Sequence, residues 1–108
     1  MDTLYGIAAA RWDNHQPGQG FLLLQIAADR GSGRAALRLA QIYDPDTFRP
    51  GGPIRSADGR QAAKYYRDAV RHGQDAAAAP RETLRQRLQR DSDNGDTLAS
   101  LTLKDFWP

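Results

Sequence analysis

The chain of 108 residues has no cysteine, one methionine, two lysines and two histidines. Without cysteine there is neither a disulfide framework nor a thiolate metal site. The two histidines, His15 and His72, lie far apart in the sequence. A zinc site would need at least a third ligand at a defined spacing, so no metal is expected, and Asp13 beside His15 reads as a loop pair. The longest apolar run, Phe21-Leu22-Leu23-Leu24, is far too short to span a membrane. Met1-Asp2-Thr3-Leu4 lacks the basic region and long apolar stretch of a secretory signal. The expectation is therefore a cytoplasmic chain, or a periplasmic one if it is a processed fragment. β-Branched residues are few and never alternate over a useful length, which excludes a convincing strand.

Catalytic signatures are missing as well. There is no Gly-x-Ser-x-Gly and no nucleophile beside a histidine. Gly51-Gly52-Pro53 is not a phosphate loop, because no Lys-Ser/Thr follows and Pro53 has no amide proton. Asp44, Asp46 and Asp58 could pair for acid–base work, but Asp-Pro and Asp-Thr steps more simply make turns and caps. The segment lacks the alternating acids and terminal Glu of a calcium loop. Neither an enzyme nor a cofactor is expected.

What the chain has in quantity is alanine and arginine, seventeen and thirteen residues. Apolar residues make up 40% of it, and the mean hydropathy of −0.70 demands a wet surface. This is material for one helical domain. The net charge is +2, so a pI near 9.3 overstates the basic excess. The densest basic stretch holds Arg81, Arg85, Arg87 and Arg90. At 100° per residue these arginines spread around a helix, while Leu84 and Leu88 align at i, i+4. A solvated face around a leucine stripe is the simpler expectation, and a phosphate-binding stripe for nucleic acid is the alternative.

Six helices are expected, at about 3–12, 19–30, 33–43, 58–72, 75–91 and 96–106. Pro17 and Gly18 read as breakers before the second. Gly31, Gly73 and Gly95 read as stops or breaks at helix ends. Residues 44–57 hold three of the six prolines and a Gly-Gly pair, so they form the main irregular segment, anchored by Phe48 or Ile54. Pro80 is tolerated only in a first turn, which pushes the start of the fifth helix toward 79. Trp107-Pro108 is expected to cap the last hairpin.

An internal repeat emerges at an offset of 42 positions. Gly20 aligns with Ala62, Leu23-Leu24 with Tyr65-Tyr66, Ala27-Ala28 with Ala69-Val70, Gly31 with Gly73, and Ala35 with Ala77. A weaker third copy ends at Gly95, with Leu88 in the second large slot and Ala99 four residues after the glycine. A glycine permits a tight antiparallel turn, small residues beside it let two helices approach, and large residues a turn or two away fill the diverging space. Such hairpins bury their second side by stacking. The expected pairs are 3–30, 33–72 and 75–106 in one domain. Tyr65 and Tyr66 read mainly as core, with one of them turned partly outward because neighbours lie 100° apart.

This pattern resembles the Sel-one-like repeat, a branch of the tetratricopeptide-like α/α solenoids. The family's helical pair reads here as Ala35, Leu39, Ala40 and Tyr43, a loop, then Ala62, Tyr65, Tyr66, Ala69, Val70, Gly73 and Ala77. The match covers about 20–77. The chain departs in the connecting loop, where Asp44-Pro45-Asp46-Thr47-Phe48 replaces a short glycine-containing turn. The resemblance implies an all-α, right-handed superhelix with a concave face that binds a protein or peptide, and bacterial scaffold or adaptor roles. The expected contacts are Arg34, Arg38 and Gln41, with Phe48 and Tyr65 nearby, and the arginine excess favours an acidic or amphipathic partner.

Overall fold

The computed structural model describes residues 17–108, and their architecture is set by glycines. Five α-helices are present among the described residues: α1 (Pro17–Asp29), α2 (Gly33–Tyr43), α3 (Gly59–Arg71), α4 (Ala78–Asp93) and α5 (Thr97–Phe106). A 3-10 turn over Asp75–Ala77 leads into α4, and no strand occurs among the described residues. The expected helix at 3–12 lies outside them. Pro17 and Gly18 open α1 instead of breaking the chain. The first amide of a helix has no intrahelical acceptor, so proline costs nothing there. Pro80 likewise falls in the first turn of α4.

Gly31, Gly73 and Gly95 each adopt a positive φ, +95°, +86° and +95°. The hydrogen bonds around them are the same three times. Ser32 N–H donates to the Ala27 carbonyl at 3.0 Å, Gln74 N–H to Ala69 at 2.9 Å, and Asp96 N–H to Asp91 at 3.0 Å. The glycine amides donate to Ala28, Val70 and Ser92. These are Schellman caps, which satisfy carbonyls that the helix end leaves over. The third copy closes despite Asp91 and Ser92 at the crossing, because the cap depends on backbone and on the glycine alone. Ser32 and Asp96 then accept from Ala35 N–H and Ala99 N–H and start α2 and α5. Gln74 makes no such side-chain cap, and there the chain passes through the 3-10 turn first.

The repeat alignment is also a burial alignment. Seven residues before the glycines sit Leu24, Tyr66 and Leu88, and four residues after them sit Ala35, Ala77 and Ala99; all six are buried. Successive turns pack side by side. A Cβ on Gly33 would lie 2.9 Å from the His72 carbonyl oxygen and 2.8 Å from Gln74 Cγ, so only glycine admits this approach.

Helix α3 is central, with α2 on one side and α4 and α5 on the other. This corrects the expected outward tyrosine. Tyr66 is fully buried and Tyr65 is 6% exposed, because a helix packed on two sides buries neighbours 100° apart. Tyr65 stacks on Tyr43 with ring centroids 6.0 Å apart, and Phe21 meets Tyr43 edge-on at 5.9 Å, which links α1, α2 and α3. Leu84 and Leu88 form the expected stripe of α4 against the core.

Candidate functional site

The site grows out of the 44–57 loop. Asp44 is the C-cap of α2, 3% exposed, and its carboxylate is shared. Oδ1 accepts from Asp46 N–H at 2.9 Å, and Oδ2 accepts from the Tyr66 hydroxyl at 2.6 Å. The Asp44 carbonyl accepts from Thr47 and Phe48, and Thr47 Oγ1 donates to the Gln41 carbonyl. Asp58 N–H donates to the Tyr43 carbonyl at 2.8 Å and closes the loop at its base. Asp58 Oδ1 then caps α3 by accepting from Arg60 and Gln61. All three aspartates are therefore turn and cap residues, with Asp46 also paired to Arg87 at 2.9 Å.

Folding the loop back on α2 leaves an open groove of about 410 Å³. Phe48, Arg49, Pro53 and Ile54 from the loop line it together with Arg38, Gln41 and Ile42 of α2. Phe48 and Ile54, the expected loop anchors, are both half-buried. A second hollow of about 150 Å³ continues along α2 between Arg34, Leu37 and Gln74, and shares Arg38 and Gln41 with the first. Of the five expected contact residues, Arg38 and Gln41 line both hollows, Phe48 the larger and Arg34 the smaller. Tyr65 does not line it; its ring is in the aromatic ladder, with Lys64 Nζ 4.9 Å above it. The sequence missed Ile54, Pro53 and Arg49 as groove residues, although Ile54 had been singled out as an apolar residue in a polar loop.

Burial shapes the tyrosine chemistry. It raises the Tyr66 hydroxyl far above its ordinary value, and the Asp44 hydrogen bond and charge push in the same direction. Burial raises Tyr65, with Tyr43 adding to it, and raises Tyr43, with Asp58 adding to it. These hydroxyls stay protonated in the fold.

Two arginines of α4, Arg81 and Arg87, are fasteners. Arg81 Nη2 donates to the Phe106 carbonyl at 2.8 Å and its guanidinium lies over Trp107. Burial, with Arg67 and Arg71 nearby, holds Arg81 below its ordinary value. Arg60 and Arg67 flank the Phe106 ring, at 5.1 and 4.9 Å. The Phe106-Trp107 end thereby packs against the body, as the capping expectation had it. Arg85 forks onto Glu82, and Arg87 ties the helix to the loop. His72 is the C-cap of α3 and packs beside Gly31; His15 and Asp13 lie outside the described residues. Among the described residues no cluster of three or more His, Asp or Glu is placed to hold a metal ion. No helix among them is long and apolar enough to cross a membrane. The chain matches no protein-family model, no curated protein and no solved structure.

Proposed function

We propose that the chain is a non-catalytic protein–protein interaction module of the Sel-one-like kind, a right-handed stack of helix pairs that presents α2 to a protein or peptide partner. The observation that carries this is the placement of Arg34, Arg38 and Gln41. They share one exposed face of α2; Arg38 and Gln41 border the groove that the loop creates, and all three border the smaller hollow beside it. The stacked reading is supported by the thrice-repeated cap and by the contact of the Gly31 and Gly33 turn with His72 and Gln74. Neighbouring units meeting only neighbours is the organisation of a repeat stack. A scaffold or adaptor of bacterial type is the role this reading implies.

Affinity capture from a cell extract tests it, with the wild type and Arg38→Glu run side by side. A partner held by the wild type and lost by the variant supports the assignment. Equal recovery by both sinks this face. Nucleic-acid binding through Arg81, Arg85, Arg87 and Arg90 gains no support, since three of the four guanidiniums are engaged within the fold. Its own test is heparin retention, for which a net charge of +2 leads us to expect elution at low salt.

A further inference from the structure

Helix α5 leaves two leucines in water. Leu98 is 58% and Leu101 50% exposed, and three residues of helix put them on one face. Thr97, Ser100, Lys104 and Asp105 around them are exposed as well. An apolar centre within a polar rim is the layout of an interface.

The repeat shows what does not cover these leucines. With Gly95 aligned on Gly31, Leu98 and Leu101 correspond to Arg34 and Leu37, and Ser100 and Lys104 to Ala36 and Ala40. Helix α2, packed between α1 and α3, buries Ala36 and Ala40 but leaves Arg34 exposed and Leu37 half-buried. A further helix packed on α5 in the same way would cover Ser100 and Lys104 and leave Leu98 in water.

Charge indicates the occupant. The turn before α5 holds Arg90 against Asp91, Asp93 and Asp96. Asp93 accepts from the Gln89 amide and Asp96 from Ala99 N–H, and neither has an ion pair among the described residues. At the other end of α5 stand Lys104, also without an ion pair among them, and Arg81, which meets the Phe106 carbonyl. Asp105 at that end is taken by Arg60. The helix is thus acidic at its start and basic at its end, and two copies laid antiparallel match end to end. A two-fold axis through the midpoint of Leu98 and Leu101 sets each Leu98 against the second copy's Leu101. It also brings Lys104 level with position 95 of that copy, between Asp93 and Asp96.

We propose that the chain pairs with a second copy of itself through antiparallel α5 helices, the two leucine pairs at the centre and each Lys104 beside the acidic turn of the other copy. One ten-residue helix per copy makes a small interface, of the weak class below about 1,200 Å². The dimer therefore forms at high protein concentration and dissociates on dilution. This face is apart from the groove on α2, so the interaction-module reading does not depend on it.

The test is sedimentation equilibrium of the full chain from about 10 µM to about 1 mM, with amide chemical shifts recorded over the same range. The mass should rise from one copy toward two, and the concentration-dependent shifts should fall on α5 and on residues 93–96. Leu98→Glu and Leu101→Glu alter exposed sites, so both should keep the helical circular dichroism while association weakens at least about tenfold. Lys104→Glu should weaken it too, and adding Asp93→Lys to that variant should restore it, since the two ends then exchange signs. The wild-type shifts map the contact without any substitution, which keeps the proposal open to refutation if a variant fails to fold. A mass of one copy throughout would leave the leucines to a different protein or a lipid surface and overturn the proposal. So would growth beyond two copies, shifts confined to other helices, association indifferent to both leucine variants, or a charge-exchanged double variant that pairs no better than Lys104→Glu alone.

Discussion

The hydrogen bond from Tyr66 to Asp44 is the sharpest point at which to test the fold. Tyr66→Phe removes one oxygen and keeps the ring, so no cavity opens. What it leaves is a carboxylate, 3% exposed, that has lost the donor to Oδ2 and retains only the Asp46 amide at Oδ1. A hydrogen bond to a charged group is worth about 1.5–3 kcal/mol, and an abandoned buried acceptor adds its desolvation cost. We expect a loss of about 2 kcal/mol. In a domain of this size that is roughly 8–16 °C in Tm. Urea unfolding followed by circular dichroism measures it, with Asp44→Asn and the double variant completing a thermodynamic cycle. The coupling should reach about 1–2 kcal/mol. A loss under ~0.5 kcal/mol, the range of an ordinary surface substitution, would show that the contact does not hold the loop to α3 and would refute the reasoning.

Gly33→Ala should destabilise by about 1–3 kcal/mol, since its Cβ meets a backbone carbonyl at 2.9 Å that cannot rotate away; calorimetry reads this, and a neutral result would contradict the close approach of the two turns. Leu84→Ala, at a fully buried site, should cost about 2–5 kcal/mol, whereas Leu98→Ser on the exposed face of α5 should stay within about 0.5 kcal/mol. Arg87→Ala should cost less than ~1 kcal/mol and less still in high salt, because both partners of its ion pair are partly exposed. Tyr43, Tyr65 and Tyr66 all have raised hydroxyls, from an ordinary 10.0. Above about pH 10 the unfolded chain sheds protons that the fold retains. Stability is therefore complete below pH 10 and falls as pH rises beyond it, by up to ~1.4 kcal/mol per pH unit per tyrosine. Denaturant titrations from pH 8 to 11 check the slope, and Tyr66→Phe should make it shallower.

Much of this was local and therefore legible. A left-handed turn needs glycine, a helix start needs an acceptor side chain, and a proline-rich stretch cannot be helical. Gly31, Gly73, Asp58 and residues 44–57 could be assigned on those grounds. The core alanines followed from their spacing to the glycines. Tyr65 was misjudged because its exposure depends on how many neighbours α3 has, and no spacing within α3 encodes that. The groove escaped for a similar reason. Arg34, Arg38 and Gln41 share a helix face by periodicity, but Phe48, Pro53 and Ile54, which line the larger hollow with Arg38 and Gln41, come from the loop. Its position depends on hydrogen bonds that tie the loop to the helices, Tyr66 to Asp44, Thr47 to Gln41, Arg87 to Asp46 and Asp58 to Tyr43.

The sequence by itself determined the helices, the three glycine turns and the repeat that relates them, because each rests on backbone conformation and short-range hydrogen bonding. Tertiary structure alone decided which arginines fasten the fold and which border the groove. Arg81 and Arg87 acquire the Phe106 carbonyl and Asp46 as partners from 25 and 41 residues away. Chain connectivity gives no hint of such pairs; packing α3 between its neighbours brings them together.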